Sequence, residues 1–441
     1  MRWKRFGKGA LAALLAVVLA AACTAGDDSS SSDTTAGDGG ESSTATTVAP
    51  TGPSQGVTDD SIKVGVTFVD TASLVASGLN YDLGDHEAVY NALFDAINAD
   101  GGINGRQIEA VFAPIDPTNP APAEEKCVEL TEDEDVFIVT GFFLADAVNC
   151  VVSTHATAVV GGEMTPDRIE GAEAPWLTWT PDTDQPVAVL QAMADQGELD
   201  DATVGVWVAE RDQAILDDQV GPLLEELGHE PAATAVAVAP ADDQAAQQAE
   251  QATIAQNFEA AGVDTVVLIG SSAQGWPTLM ADNDSYRPNL LFLDILGARA
   301  FYTNAATTDT SVLEGAVMGG GYGPDQARFD EPAMQECIQT LTDAGLDTPT
   351  PEESGDDPSN QPYQAAFQAC PDVALLQAWL TAAGDDLNYG TLTNAIDGLE
   401  VSIPGDPEAR TYGPPPDTDG NPTAYLYTWD EGAHDVVLQD G

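Results

Sequence analysis

From residue 59 onward, short and nearly continuous apolar runs alternate with longer segments in which apolar residues recur every three or four positions. The runs IKVGVTFV (62–69), QIEAVF (107–112), FIVTG (137–141), AVVGG (158–162) and WLTWT (176–180) predict a first set of strands. TVGVWV (203–208), ATAVAV (233–238), TVVLIG (265–270), LLFLD (290–294) and AVMGG (316–320) predict a second. Runs this continuously apolar suit parallel strands covered on both faces. Between the first two, HEAVYNALFDAINAD places Ala88, Ala92, Leu93, Ala96 and Ile97 on one helical stripe. Gly101-Gly102 then ends that helix, and Asn104-Gly105 reverses the chain into the next strand. MQECIQTLTDAG (334–345) and YQAAFQACPDVALLQAWLTAAG (363–384) predict late helices, and TAYLYTWDEG (423–432) a late strand. The class is α/β throughout.

Two sheets follow from this order. Residues 59–182 make a first lobe, 183–321 most of a second, 322–398 return to the first, and 399–441 supply C-terminal strands mainly to the second. TPDTDQP (180–186) is the first crossover, and several crossings make a hinge. Ligands of open α/β sheets sit beyond the carboxyl ends of the strands, so the loops leaving them are the candidate site. In the first lobe these are Asp70 to Leu74, Phe142, Phe143, Glu163 and Thr165, with Asp182 and Asp184 at the crossover. In the second they are Arg211, Ser271, Ser272, Trp276, Asp294 and Tyr322. Phe142 and Phe143 suit a core equally well, and Asp182 and Asp184 suit capping of the helix that follows. Arg211 offers a planar fork for a carboxylate, with a surface ion pair as its alternative.

The strand IKVGVTFVD, a helix running into INADGGINGRQIE, a second strand, a Cys-bearing helix and DVFIVTG together resemble the substrate-binding proteins of branched-chain amino acid ABC transporters. That resemblance implies the two-lobed type I periplasmic-binding fold and capture of a small solute by lobe closure. It also implies delivery to permease and ATPase subunits, with no cofactor. It assigns Thr165 to a ligand carboxylate and Asp182 to an amino group. This sequence departs from the family at GFFLADA (141–147), where small hydroxyl residues are expected, and in lacking the tyrosine near Arg211. The departures imply a ligand other than a standard branched-chain amino acid. Phe142, Phe143 and Trp276 suit an apolar or aromatic portion, and Arg211 its acidic group.

The first 22 residues combine a basic start, a short apolar run and Ala-Ala-Ala before Cys23, the pattern of a signal peptide. The junction resembles the lipobox of bacterial lipoproteins, which implies acylation of Cys23 and anchoring on the extracytoplasmic face of the cell membrane. The Ser/Thr/Gly/Asp-rich segment 23–58 then reads as a flexible tether. Removing the signal takes Arg2, Lys4, Arg5 and Lys8 and none of the 73 acidic residues, leaving nine basic ones. Such a surface excludes nucleic acid, whose binding rests on Lys and Arg against phosphates. DTDGN (417–421) lacks the later ligands of a calcium loop, so the acidity reads as a solvated surface.

Four further cysteines, Cys127, Cys150, Cys337 and Cys370, allow three pairings. Proximity in sequence favours Cys127–Cys150 and Cys337–Cys370. No C-x-x-C points to zinc or redox exchange. His86, His155, His229 and His434 are scattered, and no nucleophile elbow or phosphate loop is present, so the chain reads as a binding protein rather than an enzyme. A sensory protein of the same fold and an extracellular hydrolase are the alternatives. A monomer is the expected state for a hinge that must open and close.

Overall fold

The computed structural model describes residues 51–441 except 77, 79, 118, 120, 145, 163, 165, 181–184, 240–243, 271–275, 278–285, 303–308, 356–358, 416–417, 421–423, 433–434 and 440–441. The first sheet contains β1 (Ser61–Val69), β2 (Gln107–Ile115), β3 (Ile138–Gly141), β4 (Ala158–Val160) and β5 (Trp176–Leu177). Their spatial order is β2-β1-β3-β4-β5, and every pairing is parallel. β2 runs beyond the predicted QIEAVF because it stays in register with β1 as far as Val69↔Ile115. Pro114 is tolerated there because β2 is an edge strand.

The second sheet contains β6 (Val204–Ala209), β7 (Ala233–Ala237), β8 (Thr265–Ile269), β9 (Asn289–Phe292), β10 (Val317–Gly320), β13 (Tyr425–Asp430) and β14 (Asp435–Leu438), ordered β14-β13-β10-β9-β8-β6-β7. β13 pairs antiparallel with both β10 and β14, so it alone runs against the other strands of this sheet. β11 (Leu399–Val401) and β12 (Arg410–Tyr412) pair with each other. Val401 and Tyr412 join the first lobe's core, so the C-terminal segment is shared between the lobes.

Strand alternation explains the second lobe's two cores. Val266 and Leu268 meet Ile254 and Phe258 of the helix Gln244–Ala261 on one face, while Val267 and Ile269 meet Val189, Leu190 and Met193 of the helix Gln185–Asp195 on the other. In the first lobe the helices His86–Ala99, Pro332–Asp343 and Gln364–Ala383 share one core with β1 to β5. Asp85 opens the first of these by accepting the Ala88 amide at 3.0 Å.

The glycine-rich joint has the predicted role. Gly102 adopts φ +76°, and a Cβ there would lie 2.0 Å from the Arg106 carbonyl oxygen. Arg106 is structural: its Nε donates to the Thr58 carbonyl and its Nη2 to the Asp385 carbonyl, both at 2.8 Å. Asn104 donates to the Leu380 and Thr381 carbonyls at the end of the helix Gln364–Ala383. Both favoured disulfides form, Cys127–Cys150 and Cys337–Cys370, with separations of 23 and 33 residues. Closing loops of that length stabilises the folded state by about 3 to 4 kcal/mol each on the chain-entropy account.

Residues 51–58, assigned by composition to the tether, are docked. The Tyr389 amide donates to the Pro53 carbonyl at 2.9 Å, and Gln55 Nε2 donates to the Tyr389 hydroxyl at 2.6 Å. Cys23 and the signal segment lie outside the described residues. Among the described residues no helix is long and apolar enough to cross a membrane.

Candidate functional site

Three crossings connect the lobes: the segment after β5, the segment from β10 to the helix Asp325–Asp330, and the segment from β12 to β13. They are bonded to one another and to the sheets. The Thr178 amide on the first donates to the Thr418 carbonyl on the third at 3.0 Å. The Tyr427 hydroxyl of β13 donates to the Tyr322 carbonyl on the second at 2.6 Å.

At the carboxyl end of β5, Trp179 meets Tyr322 from the carboxyl end of β10, with ring centroids 6.1 Å apart and planes inclined at 57°. One aromatic from each lobe therefore meets where the strand-end rule places the ligand. Both are half-buried. Trp179 is fixed from behind: its Nε1 donates to Asp372 Oδ1 at 2.6 Å. Asp372 is the lone acid of the helix Gln364–Ala383 and is 1% exposed. Its other oxygen accepts the Tyr90 hydroxyl, and the Thr140 hydroxyl lies beside it. Gly161 permits the approach, since its φ of +91° places a hypothetical Cβ 3.2 Å from Asp372 Oδ1. Burial among neutral groups pushes the Asp372 carboxyl up to about 7. The same burial, and the adjacent carboxylate, hold the Tyr90 hydroxyl well above its ordinary range.

Phe142 and Phe143 follow β3 as expected and are half-buried. Phe142 packs on the small cluster of Ile115, Ala123 and Ala147, while Phe143 packs on the main core and against Gly162. Asp294 follows β9 and is half-buried. Tyr322 alone of the predicted residues makes a described ring contact with the opposite lobe. Trp276 requires correction. It follows β8 in sequence but is 0% exposed, with its ring 5.5 Å from Trp207 and 5.4 Å from Phe258. It packs the second lobe's core instead of facing the cleft.

Glu163, Thr165, Asp182, Asp184, Ser271 and Ser272 lie outside the described residues. The main chain of Arg211 lies in the turn Glu210–Asp212, and its side chain is outside the description.

Trp179, Asp372 and Arg328 were not singled out from the sequence. Trp179 ends a predicted strand, so the strand-end rule applied to WLTWT would have found it. Asp372 carried a separate signal, a charge inside an otherwise apolar helical run. Arg328, whose guanidinium carbon lies 4.6 Å from the Tyr322 ring centroid, carried none.

Two cavities, of about 390 and 380 Å³, lie elsewhere. The first is lined by Trp176, Met164 and Tyr389, and the second by helices around the Cys337–Cys370 bridge. Neither gathers the strand-end residues. The disulfide-bonded Cys127 and Cys150, with His155 beside them, form no metal site because both sulfurs are committed to the bridge.

No model of a known protein family matches the sequence, nor does any curated protein. Solved structures do match. A fatty acid ABC transporter substrate-binding protein from Thermomonospora curvata aligns at 18% identity and a TM-score of 0.52, over 88% of this chain and 93% of its own. A branched-chain amino acid transporter substrate-binding protein from Streptococcus pneumoniae, in complex with isoleucine, aligns at 16% and 0.52, over 86% and 99%. A solute-binding protein of an ABC transporter from Rhodopseudomonas palustris, in complex with p-hydroxybenzoic acid, aligns at 14% and 0.55, over 86% and 96%. The likeness is one of fold: this chain has the two-lobed architecture of the type I periplasmic binding proteins.

Proposed function

We propose that the protein is an extracytoplasmic solute-binding protein that captures a small molecule between its lobes and delivers it to an ABC importer. The observation that carries this reading is the meeting of Trp179 and Tyr322, one from each lobe, at the carboxyl ends of β5 and β10 and beside the crossings. The fold's neighbours named as substrate-binding proteins support it.

On this reading the open form admits the solute, and the lobes rotate about the three crossings. The closed form is stabilised by contacts that the ligand makes to both lobes at once, which is what shifts the population. Binding needs no chemistry on the chain, and the protein is read as a carrier rather than an enzyme. Cys23 is the proposed lipid attachment point, and the segment after it a spacer that holds the lobes off the membrane. Thr165, Asp182, Asp184, Glu163, Ser271 and Arg211 remain proposed contacts on the sequence argument, with Phe142, Phe143 and Asp294 from the strand-end loops.

The test is a thermal-shift screen of the purified protein against amino acids, aliphatic and aromatic carboxylates and amides, with X-ray scattering on any hit. A ligand at 100 times its dissociation constant adds about 2.7 kcal/mol to the folded state, a shift of a few degrees for a chain of this size. The expected result is such a shift together with a smaller radius of gyration. A shift without compaction would count against closure, and the absence of any shift against solute binding.

A further inference from the structure

Arg328 lies on the second crossing, in the helix Asp325–Asp330. Its guanidinium carbon sits 4.6 Å from the centroid of the Tyr322 ring and 4.5 Å from that of Phe367. The residue is 9% exposed. Against that burial its polar environment is bare. Among the described residues Nε has no hydrogen-bond partner, and the ion pair to Asp325 Oδ1, 3.9 Å from Nη1, is too long for a hydrogen bond. The other oxygen of Asp325 already accepts the Tyr363 hydroxyl at 2.9 Å. Two aromatic rings and one long ion pair surround a charged group with five N–H donors.

Neighbouring arginines show what satisfaction looks like in this chain. Arg410, buried nearby on β12, gives Nε to Asp406 Oδ2 at 2.6 Å and Nη1 to the Asp419 carbonyl at 3.0 Å. Arg106 gives both ends of its fork to carbonyls. With 73 acidic residues to draw on, leaving Arg328 without a carboxylate at bonding distance does not reflect a shortage of acids. A buried guanidinium that lacks hydrogen bonds is unfavourable unless something external completes it. The planar fork matches a carboxylate in size and geometry.

Its place gives the rest. Tyr322, which covers one face of the guanidinium, is also the second-lobe half of the aromatic pair at the strand ends. We infer that Arg328 is the anion receptor of the cleft, and that the solute is a small carboxylate whose apolar or aromatic body packs against Tyr322 and Trp179. The inference rests on the solute-binding reading and names its ligand class. It also moves the acid-binding role from Arg211, nominated on sequence, to an arginine on the hinge itself. The part of the side chain still open, 11%, is where the carboxylate enters.

The experiment compares matched acids and amides by calorimetric titration: benzoate with benzamide, phenylacetate with phenylacetamide, isovalerate with isovaleramide, and sodium sulfate as a simple anion. It uses the wild-type protein, Arg328→Lys and Arg328→Met. The expected result is that at least one acid binds wild type and its amide binds at least tenfold more weakly. Arg328→Met, which keeps the apolar stem between the rings, should weaken the acid at least tenfold and leave the amide unchanged, with Arg328→Lys between. Equal binding of acid and amide, an unchanged acid affinity in Arg328→Met, or binding of sulfate alone would overturn it. The wild-type comparison stands even if a variant fails to fold. If neutral solutes bind and acids do not, this inference falls while solute binding survives; if nothing binds, both fall.

Discussion

Asp372 sets a titration apart from the many exposed carboxylates. Its carboxyl is displaced upward to about 7 from an ordinary value of 3.8, and among the described residues its neighbours are neutral: Tyr90 from the helix His86–Ala99 and Trp179 from the first crossing donate to it, and Thr140 from β3 lies beside it. The direction of the effect follows from linkage. Because the folded-state value is raised, the contribution to stability is fully present below the unfolded value, near 4. It declines as pH rises and is lost once pH passes 7. The displacement corresponds to about 4 kcal/mol at ~1.4 kcal/mol per unit. Asp372→Asn removes the titration while retaining a carbonyl acceptor for the Trp179 indole. The variant should therefore gain on wild type between pH 4 and pH 7.5, measured as the difference in denaturant-unfolding free energy. A constant difference across that range would show that the carboxyl titrates normally. The same network explains why the site was only partly readable. Tyr322 is nominated by its place at the chain's return after AVMGG, and the structure sets its ring against Trp179. Trp276 follows a predicted strand in the same way, but its ring packs among Trp207 and Phe258, and no local pattern encodes that direction.

Strands and helices were far more legible than side-chain directions, since both follow from local periodicity. TVVLIG predicts 265–270 and the strand is Thr265–Ile269; the helix expected to begin at His86 is His86–Ala99. What periodicity does not carry is partnership between distant elements. The antiparallel pairing of β13 with β10, and the separate β11–β12 ribbon on the first lobe, depend on the third crossing. Gly319 shows how tightly one such contact is set. It lies in β10 with its Cα facing the helix Gln185–Asp195, and a Cβ would fall 2.0 Å from Val189 Cγ1. Val189 is fully buried, so neither partner can yield without moving the helix against the sheet. Gly319→Ala should destabilise the protein by about 2 to 3 kcal/mol, the range of an overpacked core. Val189→Ala in the same chain should recover part of that loss. Chemical unfolding of the two single variants and the double variant measures both, and additive losses would contradict a direct clash.

At the scale of the molecule, charge is the dominant unbalanced quantity: a formal net charge of −60 over 441 residues. Among the described residues the ion pairs that could offset it are few and mostly near the surface. Lys63–Glu134, Lys126–Glu129 and Arg168–Asp146 all involve a carboxylate at least 43% exposed, so each contributes little and loses little on screening. Repulsion among the remaining carboxylates is stronger in the compact state than in the expanded chain, and it is the term that salt removes. The screening length falls from about 10 Å at 0.1 M to about 3 Å at 1 M, shorter than most separations between surface carboxylates. Sodium chloride should therefore raise the melting temperature steeply up to a few tenths molar and level off by 1 M. A rise that continues linearly to several molar would point instead to general exclusion of salt from the surface. A fall would mean that the few ion pairs outweigh the repulsion. The same screening should favour capture of an anionic solute, because it weakens the attraction to Arg328 less than it weakens the repulsion from the surrounding acids, so the on-rate for a carboxylate should increase with salt. That sign is opposite to the one expected where a cationic surface steers an anion in, and stopped-flow measurement of benzoate binding across the same salt series distinguishes the two.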